Sequence, residues 1–209
     1  MKFILATKVA MTQVFTKDGV SFPATVLAAG PVTVTQVKDG GKDGYRAVQV
    51  GLGERKKVNK PLAGHFKKEK GSFAHVREFR IYDGKQDLSA YGVGSAIDAS
   101  VFAAGDDVEV SGTSKGKGFQ GVVKRHGFHG GPRTHGQKHS EREAGSIGGG
   151  GRAGGRVAKG MRMAGRMGSD RVTVKGLKIL AVNKEGNEIV VSGAIPGRRG
   201  TLIEVRSVK

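Results

Sequence analysis

Short runs in which apolar and polar residues alternate recur along the chain and predict a mainly β fold. Val9 to Phe15 and Val20 to Leu27 read as strands around Thr16-Lys17-Asp18-Gly19, and Asp-Gly between such runs is a strong hairpin signal. A second hairpin is predicted where residues 184–187 separate residues 172–182 from 188–191. Further predicted elements are strands at residues 1–6, 32–37, from 45, 76–82, 107–110 and 202–208, and a helical turn from Asp98 to Ala104. Many short strands at such spacing predict a small barrel or sandwich.

Residues 54–71 interrupt this pattern and are predicted to contain one short surface helix inserted between strands. Pro61 suits the first turn of a helix, Leu62 and Phe66 stand four residues apart, and Gly71 can end the helix. The runs of charge on either side of it fit an RNA contact or simply a solvated helix face, and the sequence leaves both open.

Residues 114–171 carry almost no hydrophobic pattern. These 58 residues contain 13 Lys or Arg, three acidic residues, 17 of the 36 glycines and only six large apolar residues other than Met. Ordering a backbone costs about 1–2 kcal/mol per residue, on the order of 60–100 kcal/mol here, and six apolar side chains at about 1.5–3 kcal/mol each cannot offset that. The segment is therefore predicted to be disordered or to take its shape from a partner.

The overall charge identifies the class of partner. The chain has 209 residues with 36 Lys or Arg against 18 Asp or Glu, a net charge of +18, which favours a polyanion. Nucleic acid is the first candidate and an anionic membrane surface the second. There is no cysteine, so disulfides and thiolate metal sites are excluded and a reducing compartment fits. No apolar run approaches the roughly 20 residues of a membrane span, and the run at Met1 to Ala6 is too short for a signal peptide. We expect a cytoplasmic protein.

Candidate catalytic and ligand motifs are weaker than this charge signal. Gly116 to Gly121 matches G-x-G-x-x-G, but residues 122–127 are too few for the crossover helix of a dinucleotide site, so a turn that approaches phosphate is favoured. Four histidines between residues 126 and 139 lack the rigid frame typical of zinc sites, so contacts with bases, ribose or phosphate are favoured over a metal. The methionines at residues 161–167 fit local packing or filling of gaps against RNA equally well. We find no nucleophile with a base and no sheltered carboxylate pair, and therefore expect neither an enzyme nor a cofactor.

The residues expected to contact RNA are cations, histidines and one aromatic residue of this segment. They are Lys115, Lys117, Phe119, Lys124, Arg125, His126, His129, Arg133, His135, Lys138, Arg142, Arg152, Arg156, Lys159, Arg162, Arg166 and Arg171. Phe128 fits either stacking on a base or local packing.

Several motifs in register resemble one known family. Gly112-Thr113-Ser114-Lys115-Gly116-Lys117-Gly118-Phe119-Gln120-Gly121-Val122-Val123-Lys124-Arg125 is similar to the signature of bacterial large-subunit ribosomal protein three. Residues 9–15, 43–50, 145–148, 159–168 and 171–174 are similar to the same family in the same order, so the resemblance covers essentially the whole chain.

The resemblance implies a fold and a function. The implied fold is a small translation-factor-like β-barrel, formed by residues 1–113 and 172–209, with a helical subdomain inserted at 51–75. Residues 114–171, with a tip near 148–156, would then be a long irregular extension that penetrates the large-subunit RNA towards the peptidyl transferase centre. The implied function is a structural constituent of the large ribosomal subunit that binds 23S ribosomal RNA early in assembly. Large-subunit proteins fourteen and nineteen would be neighbours, with no membrane or small-molecule partner.

The chain departs from the family pattern near the tip. Ala144 stands where the family favours proline, and Gly149 stands where many bacterial members carry a glutamine that is methylated in some of them. That modification is not expected here. Outside the resemblance, the alternatives are another basic nucleic-acid-binding protein, either DNA-compacting or an RNA chaperone, and a nucleotide-dependent enzyme that uses the glycine-rich turn.

Overall fold

Antiparallel strands dominate the computed structural model, which describes residues 1–16, 19–66, 71–82, 88–148 and 154–208. The strands are β1 (Phe3–Phe15), β2 (Ser21–Ala28), β3 (Val32–Lys38), β4 (Ala47–Glu54), β5 (Phe73–Arg80), β6 (Ala96–Ile97), β7 (Asp107–Thr113), β8 (Gly118–Gln120), β9 (Gly165–Met167), β10 (Arg171–Asn183), β11 (Glu188–Ser192) and β12 (Leu202–Ser207). The helices are α1 (Gly40–Asp43), α2 (Lys60–His65) and α3 (Val122–His126), with 3-10 turns at Leu88–Ala90 and Ala99–Val101. The prediction of a mainly β fold is confirmed.

Contacts between residues divide the chain into two compact units. The body comprises Met1–Thr113 and Arg171–Lys209, and the second unit, called the arm below, comprises Ser114–Asp170. Arg171 belongs to the body because it opens β10 opposite Thr113 of β7.

Six strands of the body close into a barrel in the order β1, β12, β7, β10, β11 and β2. Both predicted hairpins are present: β1 pairs with β2, and β10 pairs with β11 as far as Asn183 opposite Glu188. Residues 17–18 of the first turn lie outside the described residues. The predicted turn after Asp98 is also present, because the Asp98 carboxylate accepts a hydrogen bond from the Ser100 N–H, although the turn ends at Val101.

The first strand is buried on both of its faces where it begins. Phe3, Ile4, Leu5 and Ala6 are all at most 1% exposed, because β1 contributes to the barrel and also packs against the second sheet of the body. That sheet has the order β5, β4, β3 and β6. The Phe3 ring stacks on Phe79 of β5 at 4.6 Å between ring centroids, so the barrel and the second sheet share one hydrophobic core.

The predicted mainly helical subdomain at residues 51–75 is wrong in its extent. The described part of this range contains one helix, α2, of six residues. Residues on both sides of it are strand, because β4 and β5 pair from Ala47 opposite Arg80 to Glu54 opposite Phe73. Gly51 makes this pairing possible, since a Cβ there would lie 2.3 Å from the Phe73 ring that covers it.

A hydrogen-bonded polar cluster lies on the second sheet. Lys38 Nζ donates to Glu78 Oε1 at 2.7 Å and to the Tyr45 hydroxyl at 2.7 Å, and the Tyr45 hydroxyl donates to Glu78 Oε2 at 2.8 Å. The hydrogen bond to Glu78 raises the pKa of Lys38 above its usual value. Burial opposes ionisation of Glu78, but the hydrogen bonds from Lys38 and Tyr45 outweigh it, and the pKa of Glu78 is lowered. The cluster is therefore charged at neutral pH and holds β3 and β5 across β4.

One lysine of the barrel is buried and holds a loop. Lys8 is 8% exposed, and its Nζ donates to the carbonyl oxygens of Ile195 at 2.8 Å and Gly197 at 3.2 Å. These carbonyls belong to the connection between β11 and β12. The ammonium group therefore satisfies two carbonyl groups that come from a distant part of the sequence.

Replacing Lys8 by Met should lower the free energy of unfolding by about 2–3 kcal/mol, because the side chain keeps its length but loses both charged hydrogen bonds. Urea unfolding of the purified protein measures this. The matched control is Lys178→Met on the exposed side of β10, for which we expect a change below about 0.5 kcal/mol. Equal stability of the two variants would contradict a structural role for the Lys8 ammonium group.

The arm has little regular structure. β8 and β9 pair over three residues, Gly118 opposite Met167 to Gln120 opposite Gly165, and α3 follows β8. Gly168, just after β9, lets its backbone approach that of Lys115, just before β8. Its φ is +78°, and a Cβ would lie 2.2 Å from the Lys115 carbonyl oxygen. Backbone turns and close approaches, not a hydrophobic core, thus give this unit its shape.

Candidate nucleic-acid interface

The paired strands of the arm bring an exposed aromatic ring beside an exposed cation. Phe119 of β8 lies directly opposite Arg166 of β9, so the two side chains emerge next to each other on the same face. Phe119 is 73% exposed, which leaves its ring available to a partner. An exposed ring beside a guanidinium group is suited to stacking on a nucleobase while contacting the adjoining phosphate. Lys115 and Lys117 precede β8 and are also exposed.

Two of the predicted RNA-binding residues lie on α3 and contact the backbone elsewhere in the arm. Arg125 Nη1 donates to the Met163 carbonyl oxygen at 2.8 Å, and a ring nitrogen of His126 lies 3.1 Å from the same oxygen. Both residues come from α3, and both are only partly exposed. Their contacts tie α3 to the chain segment that precedes β9, so part of their role is to shape the arm.

Rings and polar groups from separate parts of the arm surround a cavity of about 550 Å³. His126 and Phe128 follow one another along one wall at 6.1 Å between ring centroids. His129, His139 and Arg162, which are far apart in sequence, line the same cavity. The structure thus places His139 and Arg162 beside His126, Phe128 and His129, which are close together in the sequence.

Among the described residues, most of the other predicted cations of the arm form no ion pair with an acidic side chain. Arg133 makes an exposed ion pair with Glu141 at 3.4 Å, which is worth little in water. The remaining described members of the predicted set are exposed on the arm surface: Lys124, His135, Lys138, Arg142, Arg156 and Lys159. Arg152 lies outside the described residues. The sequence places 12 Lys or Arg and three acidic residues in Ser114–Asp170, so the arm is strongly cationic.

Arg171 differs from the rest because it belongs to the body. Its guanidinium group donates to Oε2 of Glu204, whose other oxygen lies 3.3 Å from Arg77 Nε. Sequence reasoning missed Arg77 and Glu204, since pairing across β10, β12 and β5 becomes visible only in the folded body. It also missed Arg198 and Arg199, although two adjacent arginines between glycines are a visible signal.

The described residues contain neither a cluster suited to a metal ion nor a helix suited to a membrane. No group of three or more His, Asp or Glu side chains in this part of the chain is arranged to hold a metal ion. No helix in it is long and apolar enough to cross a membrane.

Comparison with known proteins identifies the family. The family model for ribosomal protein L3 matches residues 74–194. The chain is 49% identical to the large ribosomal subunit protein uL3 of Herpetosiphon aurantiacus, over 97% of this chain and 94% of that protein. It is 48% identical to the uL3 proteins of Nocardia farcinica and Desulfitobacterium hafniense, over 98% and 100% of this chain and 91% and 97% of theirs.

The chain belongs to the ribosomal protein L3 family. The resemblance of its motifs to large-subunit ribosomal protein three is thereby confirmed, and the match extends well beyond the glycine-rich signature. As a member of the L3 family, the chain is a structural constituent of the large ribosomal subunit and takes part in translation there. The glycine-rich turn at residues 116–121 is therefore a turn of an L3-family ribosomal protein.

Proposed function

We propose that this L3-family chain binds 23S ribosomal RNA directly and that the arm, Ser114–Asp170, is the part that enters the folded RNA. The observation that carries the proposal is a unit with 12 cations, three acidic residues and almost no core, on whose described surface most of the cations are exposed. Such a unit gains little from its own packing and much from neutralising phosphates, so RNA supplies the contacts that the arm lacks.

Each component of the arm has a distinct task in this proposal. Lysines and arginines neutralise phosphates, and guanidinium groups do so with two parallel hydrogen bonds. Phe119 and Arg166 offer a stacking surface for an unpaired base. Glycines without a Cβ let the backbone approach closely in crowded RNA.

The family resemblance supports finer proposals. We infer that the chain joins the subunit early in assembly and that the arm points towards the peptidyl transferase centre. We further infer that large-subunit proteins fourteen and nineteen are its neighbours. The closed six-stranded barrel of the body supports the proposed kinship with translation-factor barrels.

Binding to 23S ribosomal RNA should weaken steeply with salt. If half of the 12 arm cations contact phosphate, log K should fall with log salt concentration with a slope of roughly −4 to −5, because each contact releases a counterion. Filter binding of the purified protein to refolded 23S ribosomal RNA, in a series of potassium chloride concentrations, measures this slope.

One competition experiment and one binding experiment distinguish this proposal from the alternatives. Duplex DNA in excess should displace the protein from 23S ribosomal RNA poorly, whereas equal displacement by DNA would favour a DNA-compacting protein. ATP and NAD should not bind to the isolated protein. A nearly flat salt dependence would contradict the phosphate-binding role of the arm.

A further inference from the structure

The body has a second cationic surface, at the end of the barrel where the chain leaves after Thr113 and returns at Arg171. Strand register places this end, because Thr113 pairs with Arg171, and Gly112 pairs with Ile203 near the beginning of β12. The connection between β11 and β12, residues 193–201, lies at the same end. This connection is called the arginine loop below, after Arg198 and Arg199.

The arginine loop is held by hydrogen bonds at both of its ends. The Gly193 N–H donates to the Pro23 carbonyl at 2.7 Å, and the Gly193 carbonyl accepts from the Thr25 hydroxyl at 2.7 Å. At the other end, the Gly200 N–H donates to the Lys8 carbonyl at 2.8 Å, and the Lys8 N–H donates to the Thr201 carbonyl at 3.0 Å. The backbone of the loop is therefore fixed on two strands of the barrel, β1 and β2.

The middle of the loop is held by contacts on its buried side. The buried Lys8 ammonium group holds the Ile195 and Gly197 carbonyls, and the Ile195 side chain is 5% exposed. Gly197 has a φ of +90°, and a Cβ there would lie 2.6 Å from the Thr201 side chain. The inner side of the turn is thus closely packed against the barrel.

The outer side of the loop presents two adjacent arginines. Arg198 and Arg199 are exposed, and Arg199 Nε donates to the Val9 carbonyl at 2.8 Å, which limits the motion of that side chain. In the part of the chain that the structure describes, neither arginine forms an ion pair with an acidic side chain. A rigid backbone with two unneutralised guanidinium groups is preorganised to bind an anion.

A recess beside the loop adds two more guanidinium groups. Arg77, Arg171, Thr201 and Glu204 line a common recess of about 400 Å³. Glu204 is 15% exposed and contacts both arginines, whose side chains are 51% and 62% exposed. Glu78 also lines this recess, but its carboxylate is paired with Lys38 at 2.7 Å. Arg77 and Arg171 therefore share one carboxylate, Glu204, and keep a net positive charge.

The opposite end of the barrel has a different charge pattern. There Lys2 pairs with Asp106 at 2.6 Å, and Lys178 lies opposite Asp107 in the strand register. Each of these two lysines thus has an acidic side chain beside it, whereas Arg198 and Arg199 at the end that carries the loop form no ion pair within the described residues. This asymmetry gives the body one face suited to a polyanion.

We propose that Arg198 and Arg199 of the arginine loop, together with Arg77 and Arg171, form a second phosphate-binding surface for ribosomal RNA on the barrel end. This inference rests on the proposed function, because it takes the same RNA as the partner. The surface would dock the body on RNA backbone at the point where the chain continues into the arm. Lys8 and Glu204 act as positioning residues for it.

The test compares two double variants of the full chain with the same loss of charge. R198A/R199A removes the loop guanidinium groups, and K178A/K184A removes two exposed lysines on β10 and on the turn that follows it. Filter binding to refolded 23S ribosomal RNA across a salt series gives affinity and salt slope for each. Circular dichroism and urea unfolding establish that both variants are folded.

We expect R198A/R199A to bind about tenfold more weakly, with a salt slope that is shallower by roughly 1.5, since two phosphate contacts are lost. K178A/K184A should remain within about twofold of the unmodified protein. R198K/R199K should keep most of the salt slope but lose part of the affinity, because lysine retains the charge without the paired hydrogen bonds.

Two outcomes would overturn the inference, and only one of them also overturns the proposed function. If the unmodified protein binds 23S ribosomal RNA with a steep salt slope and R198A/R199A matches K178A/K184A, the second surface is wrong and the proposed function stands. If the unmodified protein does not bind this RNA, the proposed function fails and the second surface fails with it.

Discussion

Replacing Ser114–Asp170 by an Asn-Gly dipeptide should leave a folded body that binds 23S ribosomal RNA roughly a hundredfold more weakly, or worse, than the full chain. The body should fold because Thr113 and Arg171 already pair across β7 and β10, and Asn-Gly favours the tight turn that joins such strands. Binding should fall because 12 of the 36 Lys and Arg residues are removed with the arm. Thermal unfolding followed by circular dichroism, together with filter binding, measures both effects.

A full-length variant separates the charge of the arm from its length. Lys115, Lys117, Lys124, Lys159 and Arg166 are exposed in the arm, and glutamine at all five positions keeps the chain while removing the charge. This variant should reproduce a large part of the loss in affinity and flatten the salt slope. Unfolding of the body after the dipeptide replacement would show that the arm belongs to the core and that the division into two units is wrong.

Replacing Phe3 by Ala should lower the free energy of unfolding by about 3–5 kcal/mol. Phe3 is 1% exposed and stacks on Phe79 at 4.6 Å, with Tyr91 at 5.4 Å on another side. Alanine removes the ring at the junction of the barrel and the second sheet, where the surrounding strands cannot close over the cavity. Urea unfolding at equilibrium measures the loss.

Phe15→Ala is the matched control, because Phe15 ends the same strand but is 67% exposed. We expect its free energy of unfolding to stay within about 0.5 kcal/mol of the unmodified protein. If Phe3→Ala lowered the free energy of unfolding no more than Phe15→Ala, the Phe3 ring would not stabilise the packing of the barrel against the second sheet. The difference in free energy of unfolding between these two variants is therefore the quantity that tests the role of Phe3.

Local patterns predicted most of the strands and turns of the body. The hairpin between β1 and β2 and that between β10 and β11 follow from alternation interrupted by turn residues, and Asp98 caps a turn as its side chain suggests. These features depend on residues close together in sequence. The short helix predicted within residues 54–71 is present as α2. The mainly helical subdomain at 51–75 implied by the family resemblance is not, because β4 and β5 pair on both sides of that helix.

Lys8 shows where such reasoning stops. The strands predicted at residues 1–6 and 9–15 leave Lys8 between them, whereas in the fold Lys8 is buried within one continuous strand, β1. Its burial depends on two carbonyl groups almost two hundred residues away, at Ile195 and Gly197. A buried ammonium group is tolerated only with such partners, and local sequence does not reveal them.

The sequence by itself determined the mainly β character, the family, and the segregation of charge and glycine into one segment that cannot build a core. It could do so because strand alternation, turn residues and composition act over a few neighbouring residues. Only the tertiary structure decided which strands meet in the barrel, that Arg77 and Arg171 share Glu204, and that Lys8 holds the arginine loop. Those arrangements depend on packing and hydrogen bonding between distant segments, for which local sequence carries no signal.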